Sequence, residues 1–270
     1  MKNLLSLSSP LQLRQALNPQ RAQQSGRYLF RLALAEQTIW LKLQLQHHSE
    51  LHEHFYCHEQ AIYQLLLSQV PEIVPEFQLL PELTLDSPDF ASYIQPVLVI
   101  GDSKPLFASP PHHLTPKQMI QRLWESLLIL EKLHHAGWVH GDLKPEHFRL
   151  QQGRGILIDY EQCFQVELMP SLGNHATPRY MAPELFHAES KTMATDIYAL
   201  GIIWYEWLSQ QRVYKNNYLE WAQWHCQQFE VILKPSTNNL TPLLQLMLEK
   251  NKARRLTDFE EIKQIFIKIV

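Results

Sequence analysis

The run His140-Gly141-Asp142-Leu143-Lys144-Pro145-Glu146-His147-Phe148 sets a carboxylate and a lysine two residues apart, behind a segment patterned as an amphipathic helix. Moving a phosphoryl group onto a hydroxyl asks for little covalent help from a protein. A loop aspartate that orients the acceptor hydroxyl and a lysine that neutralises charge on the moving phosphate supply much of what a chain can contribute. Downstream, the apolar run Ile156-Leu157-Ile158 reads as a strand that delivers the carboxylate of Asp159. The segments Ala176-Thr177-Pro178-Arg179-Tyr180-Met181-Ala182-Pro183-Glu184, Asp196-Ile197-Tyr198-Ala199-Leu200-Gly201 and Arg254-Arg255-Leu256-Thr257 follow in that order.

Taken together, these segments resemble the eukaryotic-type serine/threonine protein kinase superfamily, in a divergent, bacterial-like form, from about residue 115 to the end. The first run is similar to the H-R-D-x-K-x-x-N catalytic loop, and Asp159 stands where the family has the aspartate of D-F-G. Thr177 to Glu184 resembles the T-x-x-Y-M-A-P-E end of an activation segment. An H-G-D loop also occurs in aminoglycoside-type and choline-type kinases, and the heptose and Kdo kinases of lipopolysaccharide resemble this chain in carrying His at the position of His147. Those small-molecule kinases do not share the T-P-x-Y-M-A-P-E segment.

The resemblance implies an α+β, bilobal, protein-kinase-like fold forming one domain over residues 1–270. A small β-rich N-lobe would occupy 1–101 and a larger, mainly helical C-lobe 102–270, with the hinge within 95–105. It also implies roles. Asp142 would orient the acceptor hydroxyl, Lys144 would steady the phosphoryl group, and Thr177 would bond near Asp142. Asp159 and His147 would hold Mg or Mn, while Lys42 paired with Glu59 would hold the first phosphates of ATP, Glu53 being the other candidate partner. Glu184 would meet Arg255, or else Arg254, in a buried pair.

The elements that must position these residues are legible in outline. Arg27 to Leu32 and Thr38 to Leu43 alternate like two strands joined at Ala35-Glu36-Gln37. A helix capped by Ser49 runs to about Leu67. Residues from about 71 to 111 are proline-rich, with Ser92-Tyr93-Ile94-Gln95 and Val97-Leu98-Val99-Ile100 expected as further strands and hinge. Thr115-Pro116-Lys117-Gln118 combines an N-cap, a first-turn proline and Gln at N3, which predicts a helix to about His135. Thr241-Pro242 and Thr257-Asp258-Phe259-Glu260 open two more.

Departures from the pattern fall on the nucleotide site. Only Gly26 lies between Leu17 and Tyr28, so bare amides cannot follow the G-x-G-x-x-G course over phosphates. Trp40 replaces the alanine of V-A-I-K that lies against adenine, and alternation sets it on the face of Lys42. His147 replaces the metal-binding Asn and reads as a ligand for a divalent ion or as a loop-packing histidine. Glu161 replaces the D-F-G glycine and reads as a solvated residue or as a third metal-facing carboxylate, and Gly141 replaces an Arg, leaving no partner for an activation-loop phosphate. His54, Cys57 and His58 have metal-like spacing but no further ligands, and read as a polar helix face. Trp204, Trp207, Trp221 and Trp224 read as core.

The 270 residues are 45% hydrophobic, enough for a large core, and carry a formal net charge of -3. There is no polybasic footprint for nucleic acid, no apolar run that inserts in a membrane, and too short an apolar stretch in Met1 to Leu7 for a secretory signal. Three isolated cysteines fit a reducing, cytoplasmic setting. Three functions remain open: a serine/threonine protein kinase using ATP on a protein substrate, a pseudokinase that binds a partner protein, and a small-molecule or sugar kinase.

Overall fold

Alternating apolar residues build the first sheet of this computed structural model, which describes residues 4, 13, 15–35, 37–85, 90, 92–167 and 175–270. Glu36 of the expected hairpin connection and most of Met1 to Leu7 lie outside these residues. Strands β1 (Arg27–Ala33), β2 (Thr38–Gln44), β3 (Phe77–Leu80) and β4 (Val97–Gly101) form an antiparallel sheet in the order β1-β2-β4-β3. Phe30, Ile39, Leu41, Leu43, Val97 and Val99 share a buried apolar cluster. Strand alternation sends Arg27, Arg31, Trp40, Lys42 and Gln44 to the opposite face. Ser92 to Gln95, expected as strand, contributes only an isolated bridge from Tyr93 to Leu45.

Helix α2 (Glu50–Gln69) starts at Ser49, whose side chain accepts from the His52 amide, and Glu50 and Glu53 complement its first turn. It buries Phe55, Tyr56, Ile62, Tyr63 and Leu66. The Tyr56 hydroxyl donates to the carbonyl of Lys42 at 2.9 Å and accepts from the Leu98 amide at 3.1 Å. One phenol therefore ties the middle of α2 to the β2–β4 ladder beside Lys42. Where a glycine-rich hairpin would precede β1 stands the short helix α1 (Gln20–Gln24), followed by Gly26 at φ 81°. A Cβ there would lie 2.8 Å from the Gln44 side chain and 2.8 Å from His48, so only glycine fits.

The chain divides into two compact units, the first being Met1–Lys104 with Leu150–Glu161 and the second Pro105–Arg149 with Gln162–Val270. Short strands β5 (Lys104–Pro105), β7 (Phe148–Gln151) and β8 (Arg154–Leu157) lie around the chain crossings, and β8 brings Asp159 and Glu161 into the first unit.

In the second unit, α3 (Pro116–His135) opens with the expected capping box between Thr115 and Gln118. Strands β6 (Trp138–Val139) and β9 (Phe164–Gln165) pair around the loop that α3 delivers. The central helix α5 (Met193–Ser209) is buried along most of its length, and the Trp204 indole donates to Ser126 of α3 at 2.9 Å. Around it stand α4 (Pro183–Phe186), α6 (Tyr218–Gln223), α7 (Thr241–Met247) and α8 (Phe259–Ile269). Asp258 rather than Thr257 caps α8. The four tryptophans singled out in the sequence are all buried, as core residues. Among the described residues no helix is long and apolar enough to cross a membrane.

Candidate active site

In the first unit, the even positions of β2 and the buried side of α2 converge on Lys42. Its ammonium lies 2.7 Å from Glu59, 2.6 Å from Glu161 and 3.4 Å from Asp159. Glu53, the other candidate partner, instead accepts from the amides of His48 and Ser49 at the start of α2. Burial opposes a charged Lys42, but Glu161, Glu59 and Asp159 outweigh it and hold the lysine above its ordinary range, against the nearby Arg27. Burial, with added repulsion from Glu161 and Asp159, pushes Glu59 up to about 7 although Lys42 pulls the other way. The remaining oxygen of Glu59 is buried without a hydrogen-bond partner among the described residues.

Asp159 sits in the left-handed region at φ 66°, sparsely populated by non-glycine residues, at the end of the strand that delivers it. The next residue, Tyr160, is fully buried with its ring edge-on to Tyr63 of α2 at 4.9 Å. Tyr160 thus packs against α2 immediately after the left-handed turn at Asp159. The carboxylate of Asp159 is about one-third exposed, open enough to accept a cation.

Glu161 is not the solvated residue its position suggested. Its carboxylate pairs with both Lys42 and Arg27, and its side chain is largely buried. Two cations held at the sheet face recruit it, a contact that sequence cannot indicate because Arg27 lies 134 positions away. Arg27 is itself a residue that sequence reasoning missed. The nearest signal was Gly26, whose left-handed turn launches β1 with Arg27 as its first residue.

Trp40 lies on the face of Lys42, as alternation requires. Its indole N–H donates to Asp102 at 2.7 Å, and Arg31, paired with the same Asp102, lies over its ring at 6.0 Å. His54 and His58 stack at 6.4 Å on an α2 surface, and among the described residues only Glu59, Asp159 and Glu161 are close enough to share one cation. In that cluster the ammonium of Lys42 already supplies the positive charge.

The second unit positions the loop from His140 to His147. Asp196, at the start of α5, is 2% exposed and accepts from the amides of His140 (2.7 Å) and Gly141 (2.9 Å), while the His134 ring lies 3.0 Å away. One buried carboxylate thus fixes the backbone entering Asp142. Asp142 contacts Lys144 at 3.0 Å and accepts from the Thr177 amide at 2.7 Å. Burial would raise its pKa, yet Lys144, His147 and the Thr177 amide together hold it below the usual carboxylate range. Thr177 meets Asp142 through its amide. His147 is buried, with its ring 5.4 Å from that of His140. A small pocket lined by Asp142, Leu143, Thr177, Tyr180 and Met181 opens beside the loop.

Gly141 has φ 78°, and a Cβ there would lie 2.7 Å from the Gln162 carbonyl and 3.1 Å from Lys191. Lys191 fills the side of the loop that a larger residue would need. Buried, and lowered to about 8 by that burial against the pull of Asp142 and Asp196, its ammonium donates to the His175 carbonyl and to Gln162. Nearby, His225 lies with one ring nitrogen 3.0 Å from the Pro178 carbonyl and the other 3.0 Å from the Tyr198 hydroxyl. The nitrogen facing the carbonyl must donate, and because burial disfavours the charged ring, the other nitrogen is left to accept from Tyr198. Burial lowers His225 to about 3. Arg255 closes the region with two parallel bonds to Glu184, at 2.7 and 2.8 Å, while Arg254 makes no bond to that carboxylate.

Two compact units, one with a lysine–glutamate pair on a sheet and the other with an aspartate loop anchored to a buried helix, match the pattern met in the sequence. The chain matches the protein kinase domain family over residues 86–267, more than half its length, and it belongs to that family. The serine/threonine-protein kinase Sgk1 of Rattus norvegicus is 33% identical over 146 residues, covering 51% of this chain and 34% of that protein. Sgk1 of Gallus gallus is 34% identical over 139 residues, covering 48% and 32%. The chain thus spans about a third of the length of the curated relatives it matches. The solved structure of the Cydia pomonella granulovirus kinase, PK-1, superposes with a TM-score of 0.65 at 17% identity, covering 94% of this chain and 93% of that one, a likeness of fold.

Proposed function

We propose that this chain is an ATP-dependent protein kinase that phosphorylates serine or threonine hydroxyls of a protein substrate through a divergent nucleotide site. The observation that carries the reading is the state of Asp142, held ionised by Lys144 at 3.0 Å and by the Thr177 amide at 2.7 Å. An ionised carboxylate on a rigid loop can accept and orient an incoming hydroxyl, and Lys144 beside it can neutralise the moving phosphoryl charge. Lys42 and Glu59 serve the nucleotide phosphates. Asp159, whose side chain is about one-third exposed, would supply a ligand for Mg or Mn, whose charge would offset that of the triphosphate, and His147 is the other candidate ligand. Residues 1–101 and 102–270 are assigned as the two lobes, with the hinge within 95–105.

Acceptor class follows from the Thr177–Glu184 segment, which lies beside Asp142 and favours a peptide over a small molecule. The three isolated cysteines, which form no disulfide with one another, support a cytoplasmic setting, and the charge balance gives no reason to expect nucleic acid as a partner. A second reading, a pseudokinase that binds a partner protein, draws on Glu161 capping Lys42 and on Trp40 in the sheet face. Incubation of the purified protein with γ-labelled ATP and either Mg or Mn separates them. Label on protein supports the kinase reading, label on a small molecule replaces its acceptor, and no label favours the pseudokinase.

A further inference from the structure

The Arg27 guanidinium is held on three sides. Its Nε donates to the Gln44 side chain at 2.9 Å, Nη2 donates to the His52 carbonyl at 3.0 Å, and Nη1 faces Glu161. Arg27 is 8% exposed, and its guanidinium lies 5.8 Å from the ring centre of Tyr56. Two neutral partners therefore fix the plane of the fork, leaving one nitrogen aimed at the carboxylate that also binds Lys42 at 2.6 Å. Two like charges brought close enough to repel one another, as Arg27 and Lys42 do, are held there by the anion between them.

The backbone accounts for why an arginine stands there. The helix α1 and the left-handed Gly26 replace the glycine-rich course that would bring bare amides to phosphate oxygens, and this same turn delivers Arg27. Planar, permanently charged and preorganised, a guanidinium suits phosphate oxygens, and losing the amides leaves that task open.

We propose that Arg27 and Lys42 form a phosphate-binding site for the nucleotide's polyphosphate, and that Glu161 is a built-in anion occupying it until polyphosphate displaces it. One arginine thereby takes the part of the missing glycine-rich loop. The proposal rests on the kinase reading for the identity of the nucleotide, but the anion site stands on the Arg27–Glu161–Lys42 geometry. Displacing Glu161 requires no covalent step: its two ion pairs are exchanged for pairs to phosphate oxygens, and the freed carboxylate passes to water.

Calorimetric titration of the full chain with ATP, inorganic tripolyphosphate and adenosine, in buffer free of divalent ions, tests this. Wild type is expected to bind both polyphosphates. Arg27→Met should weaken both by tenfold or more and leave adenosine unchanged, Arg27→Lys should recover part of the loss, and Glu161→Gln should tighten both polyphosphates several-fold. Melting curves report whether each variant folds; should Arg27→Met fail to fold, Arg27→Lys and Glu161→Gln decide. Failure of wild type to bind tripolyphosphate, unchanged affinities in the folded Arg27 variants, or weaker binding by Glu161→Gln overturns the proposal. Tripolyphosphate binding that follows this pattern in a protein that transfers no label would sink the kinase reading and leave the anion site standing. Transfer of label with Arg27→Met binding unchanged would do the reverse.

Discussion

Replacing Arg255 with Met should cost more stability than any other single substitution of a charged residue in the second unit. The guanidinium is fully buried beside a Glu184 side chain that is 3% exposed, with two bonds to the carboxylate, one to the Ala194 carbonyl at 2.9 Å and one to the Glu249 carbonyl at 2.9 Å. It also lies 4.9 Å from the ring centre of Tyr198. Methionine fills much of the volume but leaves Glu184 charged and unpaired, and breaking one side of such a pair costs about 3–5 kcal/mol. For a protein of this size, roughly 2–4 °C of melting temperature is lost per kcal/mol, so Tm should fall by about 6–20 °C. Adding Glu184→Gln to Arg255→Met should recover part of that loss by removing the stranded charge, making the two changes non-additive. Because the pair is buried, the effect should persist at high salt, where a surface pair would be screened. Thermal unfolding of the two single variants and the double variant at low and high salt checks this. A fall of less than about 2 °C in Arg255→Met, or strict additivity in the double variant, would refute the reasoning.

Three further outcomes are expected. Gly141→Ala should lower stability by about 1–3 kcal/mol, since it places a side chain in the left-handed region with its Cβ 2.7 Å from the Gln162 carbonyl, and Gly141→Arg, which restores the family's residue, should be worse; denaturant unfolding curves read both. His225, lowered to about 3 by burial, binds its proton more tightly in the unfolded chain, so its contribution is complete above about pH 6.5 and declines as pH falls toward 3; the melting-temperature gap between wild type and His225→Gln should therefore shrink from pH 7.5 to pH 4, and a constant gap would show that the ring is not buried neutral. Trp40→Ala, which removes an indole from the face of Lys42 and its bond to Asp102, should tighten ATP binding in Mg or Mn by roughly tenfold, about 1.4 kcal/mol; calorimetry showing no gain would mean that Trp40 leaves the base room already.

What the sequence made legible was local or carried by spacing. Thr115 and Gln118 cap α3 because both partners lie within one turn, whereas the pairing of Lys42 with Glu59 was pointed to by the family resemblance, to which their interval in the chain conforms. Glu184 and Arg255 lie far apart in the chain, and only the family resemblance pointed to their pairing. Arg27 and Glu161 had no such guide: nothing within either segment signals a contact spanning 134 positions. The same holds for Lys191, which lies beside Gly141 and donates to the carbonyl of His175, 16 positions earlier in the chain. Thr177 was legible as a neighbour of Asp142, but its amide makes the contact, and backbone donors carry no residue-type signature.

The central claim is that Asp142 works as an ionised carboxylate in phosphoryl transfer. Its most direct test compares transfer of labelled γ-phosphate from ATP to protein by wild type and Asp142→Asn, with ATP affinity and melting temperature measured on the same samples. Asparagine matches the volume and can still accept from the Thr177 amide, but it brings no charge to a site where Lys144 lies 3.0 Å away. Transfer should fall by at least about a hundredfold while ATP binding and melting stay near those of wild type. Transfer by Asp142→Asn within a few-fold of wild type, or no transfer by wild type in either Mg or Mn, would contradict the account.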